Sequence, residues 1–172
     1  MNLYTMKTPL CSMCMKSDFL CSGCSQKLIE GDLSETAIDV SRTLFKLSEK
    51  VPSLQTATIH QVITTADSLV ILTGEGDGPK VVGKSGKIVK MLAEKTSKSV
   101  RVIENSNNFE EIIRGLIFPV QVQGINTLFS AGGEKKKVVI SLKDKGRIPF
   151  NDLSFRNVVQ KLTNREAVLC FE

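Results

Sequence analysis

The sequence predicts an α+β protein in which a small cysteine-rich segment precedes two modules with the same order of elements, α-β-β-α-α-β. Two observations predict this fold class. Apolar residues recur at helical spacing in some stretches, and alternate or run together as in strands in others. This succession occurs twice, before and after a loop-like stretch at 105–108. A chain of 172 residues can hold two small domains. We therefore predict three parts, 1–31, 32–105 and 106–172.

Composition narrows the class of protein. The chain is 41% hydrophobic, which is enough for a core, but it has no tryptophan and a single tyrosine, so aromatic residues that stack on bases are few. No apolar run approaches the length of a membrane span. The first ten residues lack the charged-then-apolar pattern of a secretory signal. We expect a cytoplasmic protein that makes no membrane contact.

The positive charge of the chain is concentrated in two segments. The formal net charge is only +5, yet seven basic residues lie between Lys80 and Arg101, against the single acid Glu94. Six more lie between Lys135 and Arg147. Basic charge gathered in this way is typical of a protein that binds a polyanion.

Four of the five cysteines form two CxxC pairs separated by six residues, Cys11 with Cys14 and Cys21 with Cys24. Each pair can bend around one ion, and a short hairpin would bring four thiolates around a single Zn²⁺, with Gly23 in the tight second turn. Since all four positions are then filled by protein, the zinc is expected to be structural. The lack of an export signal disfavours disulfides, and the lack of a βαβ pattern disfavours a thioredoxin-type redox pair. The spacing leaves an iron–sulfur cluster open.

The first module begins with a helix whose N-cap is Ser34 and which ends before Pro52. Residues 58–64 alternate as a strand, and the lone histidine there, His60, has no acid or nucleophile motif nearby, so we assign it no catalytic role. The apolar run Leu69–Leu72 predicts a buried strand. An amphipathic helix with Ile88, Val89, Leu92 and Ala93 on one side follows later, and then a strand at 100–103.

Two chemistries match the stretch between the second strand and this helix. Gly78–Ser85 fits the P-loop pattern G-x-x-x-x-G-K-[ST], with a strand before it and a helix after it. Gly83–Gly86 fits a GxxG clamp, a tight turn whose missing side chains let the backbone lie against a single-stranded nucleic acid. A glycine turn with no ligand is the third interpretation.

The clamp is favoured over the P-loop. The residues that would curl around phosphates include Val81 and Val82 after a proline, which suit a short apolar helical turn better than an anion-binding loop. A further glycine follows Ser85, which weakens the start of a phosphate-binding helix. The only candidate for a Mg²⁺-binding aspartate, Asp144, lies in a lysine run, and P-loop folds use a larger parallel sheet than this chain is expected to hold.

The glycine-rich stretch and the helix and strand after it resemble a known family. Val81–Glu104 resembles the GxxG-helix-strand core of KH domains, and the chain is similar to archaeal NusA-like proteins, small factors made of paired KH modules. The resemblance extends over the cysteine-rich start and the second half. It implies type II KH modules and a non-enzymatic RNA-binding factor in transcription elongation or termination, acting on nascent RNA near RNA polymerase. A KH protein of ribosome assembly or RNA processing would use the same site.

In this interpretation the two glycines of the clamp admit the nucleic-acid backbone, and Lys84 and Lys87 neutralise phosphates. Val81, Val82, Ile88 and the strand at 100–103 would form the wall of an apolar groove for about four nucleotides. Whether the ligand is RNA or single-stranded DNA stays open, and no residue is assigned a catalytic role. The predicted RNA-binding residues are Lys80, Val81, Val82, Gly83, Lys84, Ser85, Gly86, Lys87, Ile88 and Lys90.

The second module repeats the order without the clamp. A helix at 109–118 is followed by strands at 119–130 and 137–142, which a turn around Ala131–Gly133 joins. A helix at 152–163 turns Leu153, Phe155, Val158, Val159 and Leu162 inward, and a strand at 166–171 places Cys170 in the core. In place of GxxG, residues 143–150 hold one glycine and a proline, so we expect no RNA grip there beyond lysine contacts to phosphates.

Overall fold

The computed structural model describes residues 6–172, so the first five residues of the predicted cysteine-rich segment lie outside it. The described chain has the mixed α+β composition that was predicted. It forms two compact units, the first built from residues up to 64 and 69–105, and the second from 65–68 and 106–172. Among the described helices, none is long and apolar enough to cross a membrane.

The first unit contains a three-stranded sheet of order β1-β2-β3, in which β1 and β2 are antiparallel. All six residues of β2 are buried, as expected of the central strand. The serine predicted to cap the long helix does so, because Ser34 Oγ accepts a hydrogen bond from Ala37 N at 3.0 Å. The elements are α1 (Ser12–Lys16), α2 (Ser22–Glu30), α3 (Glu35–Ser48), a 3₁₀ turn (Pro52–Thr56), β1 (Ile59–Thr64), β2 (Ser68–Thr73), α4 (Gly78–Val82), a 3₁₀ turn (Lys84–Gly86), α5 (Lys87–Thr96) and β3 (Ser99–Glu104).

One apolar core runs through this unit and includes the cysteine-rich segment. Cys14, Met15 and Cys24 belong to the same buried cluster as Val81 and Leu92. The chain entering the segment also pairs with the sheet region, since Lys7 N donates to Ala57 O at 3.1 Å and Ile59 N donates to Lys7 O at 2.7 Å. The cysteines and the glycine-rich turn are therefore supported by one set of packed side chains.

The second unit has a sheet of order β4-β5-β6, with β4 and β5 antiparallel and β5 and β6 parallel. Helix α7 connects the two parallel strands, which need such a crossover. The fully buried Ile113, Ile140, Phe155 and Val158 form part of its core. The elements are α6 (Phe109–Ile117), β4 (Val122–Ser130), β5 (Gly133–Ile140), a 3₁₀ turn (Leu142–Arg147), α7 (Asp152–Thr163) and β6 (Glu166–Phe171).

The predicted bounds of the β4–β5 hairpin were wrong. Strand β5 begins at Gly133 rather than at 137, and β4 begins at Val122 rather than at 119. The lysines of this segment are strand residues because the ladder between β4 and β5 continues to Ser130 and Gly133 and β6 pairs with β5 from Lys135. Acidic partners lie beside them: Lys135 Nζ is 3.1 Å from Glu166, Lys136 Nζ is 2.7 Å from Glu134 and Lys137 Nζ is 2.5 Å from Glu172. Much of the second basic segment therefore serves internal ion pairs.

Two side chains predicted to face the core of this unit do not. Leu153 is 69% exposed, because it lies in the first turn of α7 on the outer side of the helix. Cys170 is only half-buried, and its Sγ donates to Glu172 Oε1 at 3.7 Å. The bounds of α7 and β6 themselves agree with the prediction.

Candidate nucleic-acid interface and metal centre

The tetrad Gly83–Gly86 forms a tight turn in which three of four residues have positive φ. Gly83 has φ 78° and ψ 171°, Ser85 has φ 56°, and Gly86 has φ 72° and ψ 17°. The turn is closed by a hydrogen bond from Gly86 N to Gly83 O at 3.2 Å. Helix α5 starts directly afterwards, and no side chain caps its N-terminus. Lys87 N donates to Lys84 O, and no side chain accepts from the amides that follow at this end of the helix, where an anion is favoured.

The two glycines have different reasons to be glycine. A Cβ added to Gly83 would lie 2.7 Å from Ile88 Cγ1 and 3.1 Å from Ile88 N, so a larger residue there would push on the start of α5. A Cβ on Gly86 would have nothing within 4 Å. Gly83 thus lets the turn pack against α5, whereas Gly86 keeps an open face on the outside. The sequence assigned both the same role.

The predicted short apolar helical turn before the tetrad is confirmed as α4, which has Pro79 in its first turn and Val81 fully buried. Because Val81 and Ile88 are 0% and 5% exposed, these two side chains anchor the turn in the core. That placement differs from the predicted one, in which both formed the wall of an open groove. Val82 is half-buried and keeps some accessible surface.

The polar residues predicted for the site separate into two groups. Lys84, Ser85, Lys87 and Lys90 are exposed around the turn and the first turns of α5. Lys80 is instead engaged within the protein, since its Nζ lies 2.7 Å from Asp77 Oδ1. The exposed lysines form a positive rim beside the helix N-terminus, which is the arrangement that attracts phosphate.

Two carboxylates that the sequence prediction missed hold the glycine-rich turn in place. Glu104, at the end of β3, accepts hydrogen bonds from Gly76 N at 3.1 Å and from Gly78 N at 3.2 Å. Asp77 Oδ2 accepts from Thr58 N at 2.9 Å. The carboxylate of Asp77 thus bonds a backbone group 19 residues away and does not cap α4 itself. The role of Glu104 depends on contacts that are distant in sequence.

Asp77 gives a pH-dependent prediction. Its burial acts to raise the pKa of the carboxyl, but the hydrogen bonds from Lys80 Nζ and Thr58 N outweigh it, and the net pKa is lowered. A lowered folded-state pKa contributes stability that is present above the unfolded value, about 3.9, and is lost as the pH falls through the folded value. We expect Asp77→Asn to cost about 1–2 kcal/mol at pH 7 and progressively less below about pH 4.

Urea unfolding followed by circular dichroism between pH 3 and 7 measures this difference. The matched control is Asp39→Asn, which changes an exposed aspartate of α3 in the same unit. A constant difference between Asp77→Asn and wild type across this pH range would contradict the assignment.

The P-loop pattern does not adopt the geometry its chemistry requires. All four residues between Gly78 and Gly83 are helical, and the side chain of Val81 is buried in the core. A phosphate loop needs consecutive backbone amides that converge on one anion. Here Gly83 N donates to Pro79 O at 3.1 Å, and Gly78 N is occupied by Glu104.

The four cysteines of the CxxC pairs come together. Their Sγ atoms all lie within 4.8 Å of one another, and the Sγ atoms of Cys11 and Cys21 are 3.8 Å apart. A tetrahedral ion with metal–sulfur bonds of about 2.3 Å requires sulfurs about 3.8 Å apart, so the residues fit such an ion. Cys14 and Cys24 are buried, whereas Cys11 and Cys21 are exposed. The cluster could hold a metal ion.

Each CxxC pair starts a helix, where the sequence predicted turns of a hairpin. Cys11 is the N-cap of α1 and Cys21 the N-cap of α2, and Gly23 lies inside α2. Cys11 Sγ accepts a hydrogen bond from Cys14 N at 3.5 Å, and Cys21 Sγ accepts one from Cys24 N at 3.4 Å. Helix N-termini stabilise thiolates, which are the metal-binding form of cysteine.

The pKa values of the thiols fall into two classes. The backbone N–H of Cys24 lowers the pKa of Cys21 to about 6, and the backbone N–H of Cys14 lowers that of Cys11. The backbone N–H of Cys21 acts to lower the pKa of Cys14, but burial and the neighbouring thiols outweigh it and raise that pKa to about 12. Burial raises the pKa of Cys24. Four thiolates together therefore need a cation.

An arginine that the sequence did not single out attaches this cluster to α3. Arg42 Nε donates to Cys14 O at 3.1 Å and Nη2 donates to Phe19 O at 3.5 Å. The carbonyls at the end of α1 and in the following loop are thereby fixed, which positions the second pair against the first.

No family model matches the chain. Over 67 residues, 39% of this chain, the sequence is 32% identical to the probable transcription termination protein NusA of Methanocaldococcus jannaschii. The match spans 37% of the length of that relative. The crystal structure of APE1850 is similar with a TM-score of 0.56 and 24% identity, over 74% of this chain and 96% of that one. The second likeness concerns the fold alone. Part of this chain is thus similar to an archaeal NusA protein.

Proposed function

We propose that this protein is a non-enzymatic RNA-binding factor of transcription, built from two KH-like modules, that clamps single-stranded RNA at residues 83–86. One observation carries the proposal: Gly86 has open space in front of it, beside an uncapped helix N-terminus and three exposed lysines. A nucleic-acid backbone can approach such a turn, and its phosphates meet amide N–H groups and positive charge.

The setting in transcription is supported by the partial similarity to the M. jannaschii protein. On this basis the RNA is nascent transcript, the step is elongation or termination, and RNA polymerase is the protein partner. A KH protein of ribosome assembly or RNA processing would have the same clamp, and the proteins that purify with the native factor distinguish these settings.

The second module contributes no clamp in this proposal. Its matching segment is the 3₁₀ turn Leu142–Arg147, followed by an extended Ile148 and then Pro149. Arg147 Nη1 lies 2.8 Å from Asp144 Oδ1, and the Nζ of Lys145 lies 5.6 Å from the centre of the Phe171 ring. These basic groups have partners within the unit.

The metal is proposed to be zinc in a structural role. Four thiolates form a soft donor set that suits Zn²⁺, and the protein would fill all four tetrahedral positions. A bound ion would then connect α1 to α2 and stabilise the N-terminal part of the core. Iron bound to the same four sulfurs would be identified by its visible absorption.

Salt dependence tests the clamp. Contacts of Lys84, Lys87 and Lys90 to three phosphates predict that log K for a short single-stranded RNA falls with log salt with a slope of about −2, since each contact to a single strand contributes about −0.7. Lys84→Ala should reduce the steepness of that slope by about 0.7. Fluorescence anisotropy at four salt concentrations measures it.

The matched control for this series is Lys161→Ala, an exposed lysine of α7 in the second unit. A slope that Lys84→Ala and Lys161→Ala leave equally unchanged would remove residues 83–86 from RNA binding. Hydrolysis of ATP that needs Mg²⁺ and is lost in Lys84→Ala would instead favour the nucleotide-binding alternative.

A further inference from the structure

A groove on the first unit has no part in the clamp. It has a volume of about 600 Å³ and is formed by residues of α1, α3 and α5, together with Glu49 and Lys50, which follow α3. Its floor consists of the apolar side chains of Met15, Phe45, Leu47 and Met91. Met15 is 4% exposed, while the other three are partly buried and pack against the core cluster. An apolar floor of this kind is typical of a site for a partner side chain or segment.

The rim of the groove is basic. Lys16, Lys46 and Lys50 line it, against the single carboxylate of Glu49. A fourth lysine, Lys95, lies beside it, because its Nζ donates to Thr43 Oγ1 at 2.6 Å. Lys16, Lys46 and Lys50 are exposed. The complementary occupant is negatively charged around an apolar face.

The groove lies further along α5 than the clamp. Each helical residue advances by about 1.5 Å and rotates by about 100°, so Met91 lies about one turn after Lys87 and about 40° from it around the axis. Met91 lines the groove, whereas the clamp precedes α5 at Gly86. The two sites therefore occupy successive turns of α5.

We propose that this groove binds an acidic amphipathic segment of a protein partner. Met91 keeps accessible surface in the groove, and its flexible thioether chain adapts to apolar side chains of different shape. An amphipathic helix would place its apolar residues on this floor, and its acidic residues would meet the lysine rim. RNA suits the site less well, since bases need an aromatic platform and Phe45, the one aromatic side chain among the described residues that line the groove, is partly buried against the core cluster.

The experiment uses the full chain and two labelled peptides of about 14 residues. In the first, leucines at helical spacing are separated by glutamates, and in the second, serine replaces each leucine. Fluorescence anisotropy should show binding of the leucine peptide and much weaker binding of the serine peptide. The variant Lys46→Glu, Lys50→Glu should bind the leucine peptide about tenfold more weakly, while its RNA affinity stays within about twofold of wild type.

The matched control is Lys143→Glu, Lys161→Glu, which changes two exposed lysines of the second unit and the same amount of charge.

The NMR signals of the methionine methyl groups show where the peptide binds. Of the five methionines in the chain, Met15 and Met91 line the groove, and Met13 is 73% exposed elsewhere in α1. In a protein labelled at the methionine methyl carbons, the leucine peptide should shift the NMR signals of Met15 and Met91 and not that of Met13.

Three results would overturn the proposal. The two peptides would bind equally, or the control variant would lose as much affinity as the groove variant, or RNA rather than peptide would shift the signals of Met15 and Met91. The last result would assign the groove to RNA. Circular dichroism of both variants excludes unfolding as the cause of lost binding.

Discussion

Replacing Gly86 by aspartate should weaken the binding of single-stranded RNA by at least about tenfold, while the protein stays folded. A negative charge would stand where a phosphate approaches, and two like charges about 4 Å apart repel by about 1–4 kcal/mol at the surface of a protein. The added side chain meets no atom within 4 Å in the free protein, so its cost to stability is limited to the φ of +72°. Aspartate tolerates this conformation better than most residues.

Two matched variants separate charge from other effects in the anisotropy titration. Gly86→Asn adds the same bulk without the charge and should keep most of the affinity. Gly31→Asp adds the same side chain at another open position with positive φ, +84°, and should leave RNA binding unchanged. Equal affinities for Gly86→Asp and Gly31→Asp would show that the turn does not contact RNA. Gly83→Asp is a less informative variant, because the contact with Ile88 couples it to folding.

Loss of the metal should produce the largest loss of stability. Cys14 and Cys24 belong to the core that also contains Val81 and Ile88 of the clamp region. Without an ion, the metal–sulfur bonds that would join α1 to α2 are missing, and this part of the core loses their contribution to stability. We expect Cys14→Ser, or removal of the ion by a strong chelator, to lower Tm by roughly 10 °C or more, as follows from a few kcal/mol in a chain of this size.

Calorimetry with elemental analysis measures both consequences. Wild type should contain one zinc per chain, and Cys14→Ser should contain much less. The control is Cys170→Ser, since that half-buried thiol lies in β6 of the second unit, outside the cluster. Its metal content should equal that of wild type and its Tm should change by only a few degrees. A fully stable, metal-free wild-type protein would contradict the structural role of the ion.

Local sequence determined many of the elements. Ser34 before an apolar period was sufficient to place the start of α3, and the bounds of α7 and β6 followed from periodicity and turn residues. The proline and the two valines before the tetrad correctly predicted the helical turn α4. These features depend on residues within a few positions of each other, so the local sequence is sufficient to predict them.

Other features were decided by residues that are distant in sequence. Strand β5 starts early because β4 pairs with it from Gly133 and β6 pairs with it from Lys135, and no local pattern reveals the pairing with β6. Glu104 fixes a turn that lies 26 residues before it. The spacing of the cysteines indicated their common ligand, but only the structure showed that both pairs start helices and share the core.

Gly83 and Gly86 show the difference between what the sequence determines and what the tertiary structure determines. As letters at GxxG spacing, Gly83 and Gly86 are equivalent, and the sequence by itself determined that a tight turn stands there. Only the tertiary structure separated them, by placing Ile88 against Gly83 and leaving open space in front of Gly86. The physical reason is that backbone freedom is a property of the residue, whereas the room for a side chain or a ligand depends on what the fold packs beside it.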